Sequence, residues 1–235
     1  MHQPENENPS RKSWTVKKLL AQPGIAQDFR EQLTQSVAEL DRVRQVVREF
    51  VLGAVTGNCE LMEARFEELA LGSCEPGGGW IGVMRSVSRL PSVPPTTQDF
   101  FLEHFIESGN FLRQQCSAVI LADGLRVLLP KYSGPAMRLY RGERFENRRW
   151  RAYGLSWSIT ADAALCHAEK IETRSHPGGS VLLETMAPAD AIISRIPASK
   201  DHYREEEYVV DRRRLTSVKV IQRFAQMKVK TREKG

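Results

Sequence analysis

The chain has 235 residues, of which 41% are hydrophobic and 27% are charged. This composition is typical of a folded protein and excludes collagen-like, wholly disordered and disulfide-scaffold classes. Its 34 Lys and Arg residues against 29 Asp and Glu give a formal net charge of +5. The first residues lack the basic and apolar segments of a secretory signal, and no apolar run has the length of a membrane span. We therefore expect a cytoplasmic protein with no membrane partner.

The cysteines and histidines show no spacing that is typical of a metal site. No Cys-x-x-Cys pair and no His-Glu-x-x-His segment occurs in the sequence. We predict reduced thiols and no metal. The four cysteines are Cys59, Cys74, Cys116 and Cys166.

Positive charge is concentrated at the end of the chain. Residues 212–235 contain nine Arg and Lys against one Glu, or 9 − 1 = +8, so the remainder carries 25 − 28 = −3. Such a segment fits either a solvated strand followed by a basic tail at 224–235, or a surface for nucleic acid or an acidic partner. No aromatic residues alternate with the basic ones there in the way that nucleic-acid platforms require, so we favour the first interpretation.

The first part of the chain is predicted to be helical. Residues 1–12 are polar and without periodicity, which predicts a disordered lead-in, and residues 13–130 form the helical region. A helix is predicted from Ile25 to Leu52, with Gly53 as its terminator. Its apolar stripe has spacings of three and four and consists of Leu33, Val37, Leu40, Val43, Val47 and Val51.

Two more helices are predicted in this region, one on each side of a glycine- and proline-rich interruption. The first covers residues 61–69, with Asn58 as its cap and Gly72 at its end. The segment 74–80, which contains three consecutive glycines, is predicted to be a turn because no Gly-Lys-Ser/Thr follows it. Thr96 to Asp99 resemble a capping box. The helix that they start has one apolar face, formed by Phe101, Phe105, Ser108 and Leu112.

Beyond residue 130 the apolar period changes from near four to near two, which indicates strands. One helix, from Asp162 to about Ile171, is predicted among them, with Asp162 as its cap. Early helices and late strands predict an α+β fold, with the strands in residues 131–223. The six predicted strands are AMRLYRG, GLSWSI, GSVLLET, AIISRI, EYVVD and SVKVIQRF.

Three motifs on these strands share an order with a known enzyme family. They are LYRG at 139–142, GLSWS at 154–158 and REEEYVVD at 204–211. In this order the chain resembles the Arg-Ser-Glu class of mono-ADP-ribosyltransferases, of the bacterial or phage toxin and effector type. The resemblance covers residues 130–223 and implies a small mixed, mainly antiparallel sheet behind the N-terminal helical layer.

The first motif supplies the residues that the resemblance assigns to NAD+. Arg141 matches the family arginine that binds the phosphates and the nicotinamide ribose, and a planar, permanently charged guanidinium suits that task. Gly142 would let the ligand lie against the backbone, although a glycine after a strand is also simply a turn. Taken alone, Arg141 equally fits a surface arginine paired with Glu143 or Glu146.

The second motif is similar to the Ser-x-Ser of the family, with Trp157 in place of the usual threonine. The resemblance gives Ser156 the role of orienting the catalytic glutamate and places Ser158 beside the cofactor. Strand alternation predicts both serines on one face, towards the cleft, and Trp157 packed on the other. An isolated Ser-x-Ser is also common on half-exposed strands.

The third motif contains the residue that the resemblance identifies as catalytic. Glu207 stands directly before a hydrophobic strand, and in the family that glutamate binds the ribose 2′-hydroxyl and stabilises positive charge on the ribose. Glu205 would activate the acceptor, while Glu206 points away. Because the three glutamates are adjacent, Glu206 stays open as the assisting residue. An acidic cap on an edge strand is the other interpretation.

Two loops complete the implied site. Residues 197–204 match the loop that recognises the acceptor, with Tyr203 or His202 as its contact. Residues 172–179 match the loop that closes over nicotinamide.

The resemblance implies an enzyme that uses NAD+ as co-substrate, needs no metal, releases nicotinamide and transfers ADP-ribose to a macromolecular acceptor. Within the family Glu-x-Glu accompanies arginine modification, so protein arginine is the favoured acceptor and an RNA or DNA base the other. By analogy with toxins and defence effectors, a neutralising antitoxin protein is an expected partner. Two alternatives remain: a noncatalytic module that binds protein and nucleic acid, and an NAD+ glycohydrolase in which water replaces the acceptor.

Overall fold

The computed structural model describes Gly24 and residues 26–71, 78–198 and 206–228. The predicted lead-in at 1–12 lies outside these residues. Within them, helices occupy the first part of the chain and strands dominate the second, as predicted. The long helices before the first strand are Gln27–Thr56 (α1), Cys59–Leu71 (α2), Gly78–Val87 (α3), Pro95–Gln115 (α4) and Ala118–Leu128 (α5).

The second part of the chain alternates strands with short helices. The elements are Met137–Arg144 (β1), Phe145–Arg149 (α6), Ser156–Ser158 (β2), Ala161–Glu169 (α7), Ile171–Arg174 (α8), Ser180–Ala187 (β3), Ile192–Ile196 (β4), Glu207–Val210 (β5) and Val218–Phe224 (β6). All six predicted strands are present. The prediction of a single helix among them was wrong, since α6 and α8 are helical as well as α7.

Helix α1 continues past the glycine that was predicted to end it. Gly53 lies inside the helix, where a Cβ would come within 2.9 Å of the Met62 side chain. The helix ends at Gly57, whose φ of 71° is left-handed and whose N–H donates to the Gly53 carbonyl. Gly53 thus serves the packing of α1 on α2, and Gly57 is the cap.

The caps predicted for the other helices differ in outcome. Asn58 caps α2 as predicted, because its side-chain oxygen accepts from the N–H of Leu61 at 3.0 Å. Gly72 lies outside the described residues. The capping box at 96–99 is wrong: α4 begins with Pro95, its cap Pro94 makes no side-chain bond, and Thr97 donates to the carbonyl of Ala54. The cap of α7 is Thr160 rather than Asp162, again without a side-chain bond.

Helix α3 was not predicted. It starts inside the segment 74–80 that we interpreted as a turn, and residues 72–77 lie outside the described part. Trp80, Val83 and Met84 on this helix are buried. The helix packs on α1 and α5.

The six strands form one sheet in the order β4-β5-β2-β1-β3-β6. Each neighbouring pair is antiparallel, so the expectation of a mixed sheet is corrected to an antiparallel one. Central strand β2 has only three residues, and β1 pairs with it at Tyr140 and Ser158. Beyond that pair, residues 141–144 of β1 pair with β3.

The helical layer covers one end of the sheet through a shared apolar core. Phe50, Trp80, Phe101 and Leu125 belong to that core, and Val209 of β5 is part of the same cluster. Other sheet residues in this cluster are Ile193 and Ile196 of β4, and Leu155 just before β2 also belongs to it. A second cluster, which includes Leu139, Trp157 and Tyr208, packs on the other side.

A buried aspartate fastens the helical layer to the sheet. Asp211 follows β5 and accepts hydrogen bonds from Arg126 of α5 at 3.1 Å and from Arg213. Burial alone would raise the pKa of Asp211, but the hydrogen bonds from the two arginines outweigh it and lower the pKa to about 2. The two parts of the chain are therefore joined by charge as well as by apolar contact.

Two further observations concern membrane-spanning helices and the cysteines. In the part of the chain that the structure describes, no helix combines the length and apolarity that a bilayer crossing requires. Cys59, Cys116 and Cys166 are free thiols, and burial raises the pKa of Cys116 to about 11.

Candidate functional site

The sheet order brings the three motif strands together. Strand β2, which carries the Ser-x-Ser, lies between β1 and β5, although β5 comes some fifty residues later in the chain. Ser158 is directly opposite Tyr140 on one side and Glu207 on the other. The residues predicted from the three motifs are thus neighbours across adjacent strands.

Arg141 is fixed by several contacts between β1 and β2. Its Nε donates to Glu143 at 2.8 Å and its Nη1 donates to the Ser156 carbonyl at 2.5 Å. The guanidinium lies flush against Gly154, where any Cβ would overlap Nη2. The side chain is only 17% exposed. The pairing with Glu143 that the sequence left open is therefore present, but as a buried contact rather than a surface one.

Glu143 is the buried anion that holds this arginine. Its carboxylate also accepts from Asn147 at 2.8 Å and from the backbone N–H groups of Arg144 and Gly154, each at 3.0 Å. Burial by itself would raise the pKa of Glu143, yet the charge of Arg141 and these hydrogen bonds lower it to about 2. Both charges are thus fixed in place at neutral pH.

Arg113, from helix α4, enters the same site from the helical layer. Its Nη2 donates to the Ser156 hydroxyl and lies 3.4 Å from Oε1 of Glu207. Its Nη1 donates to Asn110 at 2.9 Å, and its guanidinium carbon lies 5.7 Å from the Phe105 ring centre. A residue that no motif contains therefore connects the serine and the glutamate.

Burial and neighbouring charges both act on the basic side chains around these groups. Burial lowers the pKa of Arg113, Glu207 opposes this, and the charge of Arg141 lowers it further. The same two effects act on His167 of α7, whose pKa is lowered by burial and then by the charge of Arg141. A guanidinium stays charged through such shifts, so Arg113 and Arg141 are two cations that both contact Ser156.

Glu207 and Glu206 have different partners. Glu207 is 31% exposed and faces Arg113. Glu206 pairs with Arg195 of β4, and Tyr208 donates to its other oxygen at 3.4 Å. Of these two glutamates, Glu207 shares Arg113 with Ser156, and its catalytic role stays a prediction.

The remaining predicted residues have these positions. Trp157 is 1% exposed and packs as expected, while Ser158 accepts from the N–H of Thr160 at 3.1 Å. Gly142 faces helix α7, where a Cβ would lie 2.5 Å from the Ala164 carbonyl oxygen, so its missing side chain accommodates the helix.

Part of the predicted site lies outside the described residues. Glu205, Tyr203 and His202 belong to this part, and their roles stay predictions. The segment 172–179 contains most of α8 followed by a turn in which Gly178 and Gly179 both have positive φ.

Sequence reasoning missed three residues of the site, Arg113, Glu143 as an anchor, and Gly154. A signal existed for Gly154, since a glycine two residues before a Ser-x-Ser strand marks close approach of another group. The sequence also contained a signal for Glu143, because residues two apart on a strand, such as Arg141 and Glu143, lie on the same face. Arg113 carried none, because it is distant in sequence from every motif.

Comparisons with known proteins add no relative. Neither a protein-family model, nor a curated protein, nor a solved structure is significantly similar to the chain. No group of three or more metal-binding side chains occurs among the residues that the structure describes. Any function is therefore inferred from the residues of the cleft themselves.

Proposed function

We propose that the chain is a mono-ADP-ribosyltransferase that uses NAD+ as donor substrate, with a sheet of the ADP-ribosyltransferase type. The observation that carries the proposal is the convergence of Arg141, Ser156 and Glu207 on three adjacent strands. These strands come together only through the sheet order, which sequence adjacency does not dictate. Glu207 is partly exposed and contacts Arg113, which also donates to Ser156, so a residue of the helical layer connects two of the three motifs.

The cations suit the donor. NAD+ carries a diphosphate, and guanidinium groups bind phosphate oxygens through paired, charge-assisted hydrogen bonds. Arg141 is already oriented by Glu143, so little conformational freedom is lost when it binds an anion. Arg113 adds a second positive charge from helix α4.

Glu207 supplies the electrostatic part of the reaction. The bond that breaks joins C1′ of the nicotinamide ribose to the pyridinium nitrogen, and nicotinamide leaves with the electron pair. The ribose gains oxocarbenium character, which the Glu207 carboxylate stabilises while it accepts a hydrogen bond from the 2′-hydroxyl. The acceptor atom then bonds to C1′ and gives its proton to a base, for which Glu205 is the candidate.

Arg113 sets the starting state of that carboxylate. Its Nη2 contacts both Glu207 and Ser156. The 2′-hydroxyl therefore has to share or replace this contact. The favoured acceptor is a protein arginine, on the strength of the Glu-x-Glu at 205–207, and a nucleic-acid base is the other class.

The test compares Glu207→Gln with Glu206→Gln, two isosteric changes at adjacent positions that remove the same charge. Each purified variant is incubated with adenylate-labelled NAD+ and cell lysate, and both label transfer and nicotinamide release are measured. We expect Glu207→Gln to lower both by about 100-fold or more, the scale that follows loss of a positioned electrostatic stabiliser. Glu206→Gln stays near wild type, because its carboxylate pairs with Arg195 away from the cleft.

Digestion of the labelled material with protease or nuclease identifies the acceptor class. Nicotinamide release without transferred label indicates the glycohydrolase instead. Equal activity in the two variants, with folding verified by circular dichroism, removes Glu207 from the site. If wild type neither releases nicotinamide nor transfers label while the lysate's own transferases are active, the proposal fails.

A further inference from the structure

A basic surface surrounds helix α6 at one edge of the sheet. It is formed where residues 144–153 lie against residues 212–224. Three arginines join the two segments by donating to carbonyl oxygens of the opposite one: Arg148 to Val218 at 3.3 Å, Arg151 to Leu215 at 3.3 Å and Arg212 to Tyr153 at 3.5 Å. We define the basic surface as Arg148, Arg149, Arg151, Arg212 and Arg223.

The charge of this surface is not balanced from within. The two segments contain nine Arg and Lys, four in the first and five in the second, against Glu146 alone. No carboxylate of the described residues forms an ion pair with any member of the basic surface. By contrast, the adjacent Arg213 pairs with Asp211, and Arg214 pairs with Asp190 at 2.9 Å. Carbonyl contacts hold the arginines without cancelling their charge.

An exposed indole lies among these charges. Trp150 is 76% exposed, the largest fraction among the exposed large hydrophobic side chains of the described residues. The guanidinium of Arg149 lies 5.8 Å from the centre of its ring. The turn that carries it is hydrogen-bonded to α6, since the N–H of Trp150 donates to the Glu146 carbonyl at 3.2 Å and that of Ala152 donates to Asn147 at 2.8 Å.

The backbone of this turn is also strained. Arg151 has a φ of 51°, the one left-handed non-glycine residue of the described part of the chain. A strained backbone that displays an apolar ring to solvent, next to cations that no described carboxylate pairs with, is a costly arrangement for a surface without a ligand. The geometry therefore points to a partner that combines anionic groups with flat apolar faces.

We propose that the basic surface and Trp150 together bind single-stranded nucleic acid. The arginines contact phosphates, and a base stacks on the indole under the neighbouring guanidinium. A duplex fits less well, because its bases are already stacked on each other and leave the indole without a partner. An acidic peptide pairs with the arginines but leaves the Trp150 indole without a stacking partner. The proposal does not rest on the transferase, because no residue of the basic surface belongs to the cleft.

The basic surface is connected to the candidate site through helix α6. Asn147 of α6 donates to Glu143, and the chain runs directly from Trp150 to Ser156. Helix α6, which precedes Trp150, is thus hydrogen-bonded to the buried carboxylate that holds Arg141.

The experiment measures fluorescence anisotropy of a labelled uridine oligonucleotide of about a dozen nucleotides, the scale of a single-strand site. The full chain is used as Glu207→Gln, so that a failure of the transferase has no effect on the result. Trp150→Ala is compared with Trp150→Phe. Arg149→Ala/Arg151→Ala is compared with Arg85→Ala/Arg89→Ala, which removes the same charge from two exposed arginines of the helical layer.

We expect Trp150→Ala to weaken binding at least about fivefold and Trp150→Phe to retain most of it, because stacking needs a flat ring. The slope of the logarithm of the binding constant against the logarithm of the salt concentration has a magnitude of about 0.7 per phosphate contact. Loss of two contacts in Arg149→Ala/Arg151→Ala therefore lowers that magnitude by about 1.4. The control double variant leaves it unchanged. Equal effects of the two arginine pairs with no effect at Trp150 mean unspecific attraction and overturn the proposal. Tighter binding to polyglutamate or to anionic lipid vesicles than to the oligonucleotide, with the same sensitivity to the variants, assigns the surface to another partner and also overturns it.

Discussion

Glu143→Gln isolates the buried carboxylate that fixes Arg141. The change keeps the shape of the side chain but replaces one accepting oxygen by an amide that faces N–H donors, and it leaves the arginine without its counter-charge. The pKa of Glu143 falls from its ordinary value of 4.5 to about 2 on folding. Since each unit of pKa corresponds to 1.36 kcal/mol, 4.5 − 2 = 2.5 gives about 3 kcal/mol. The side chain is only 6% exposed, so solvent screening reduces this little.

We therefore expect Glu143→Gln to lower the free energy of unfolding by about 3 kcal/mol at neutral pH, out of the roughly 5–15 kcal/mol of a typical domain. Urea denaturation followed by tryptophan fluorescence measures this change, because Trp80 and Trp157 are buried in the folded state. Glu146→Gln, an exposed position on α6, is the matched control and stays within about 0.5 kcal/mol of wild type.

The pH dependence gives a second and independent check. Because folding lowers the pKa, the stabilisation is complete above pH 4.5 and is lost as the pH falls towards about 2. The difference between wild type and Glu143→Gln therefore narrows over that window. Asp211 titrates in the same range, but it is present in both proteins and cancels. A difference under about 0.5 kcal/mol at neutral pH, or one that does not narrow in acid, refutes this account of Glu143.

Three further predictions concern the cleft and its support. Gly142→Ala lowers the free energy of unfolding by about 1–3 kcal/mol or more, because its Cβ would lie 2.5 Å from the backbone of α7. Gly78→Ala has open space around it and leaves the stability unchanged. Thermal unfolding of the two variants measures the difference. Arg141→Lys keeps the charge but loses the fork that reaches two acceptors at once, so titration calorimetry detects NAD+ binding weakened on the order of tenfold, and unchanged affinity contradicts its role. A double-mutant cycle of Arg113→Met and Glu207→Gln, measured by urea denaturation, gives a coupling energy below about 1 kcal/mol, because both side chains are 31% exposed. A coupling energy of several kcal/mol contradicts the contact as described.

The strands and their motifs were predictable because period-two patterning and turn residues are local signals. Trp157 and the serines beside it follow directly from alternation along β2. Their neighbours were not predictable in the same way, since no local signal indicates that β5 pairs with β2. Only the family resemblance brought the three motifs together before the structure did.

Helix α3 shows where local rules failed. Its glycines predicted a turn, because glycine is a poor helix former. In the structure Gly82 packs against Val47, where a Cβ would lie 3.2 Å from Cγ2, and Gly79 lies against Leu69. Close packing of helices requires small residues at these positions, and the burial that it permits outweighs the intrinsic preference.

Arg113 was missed for a different reason. Its helix showed a regular apolar face, which predicted a role in the core, and Phe105 and Leu112 do have that role. The charged residue beside this face acquires its partners only from strands that follow much later. Tertiary contacts of this kind leave no trace in spacing or periodicity.

The boundary near residue 130, which the change of periodicity marks so clearly, is no place to divide the protein. A fragment that starts at β1 loses Arg113 as the partner of Glu207 and Arg126 as the partner of Asp211. It also bares the apolar side chains of Ile193 and Ile196 that the helices cover. All three motifs would remain, but on a sheet with exposed apolar side chains and with Asp211 held by Arg213 without Arg126. For expression, deletion mapping or domain grafting, the helical layer and the strands count as one indivisible unit.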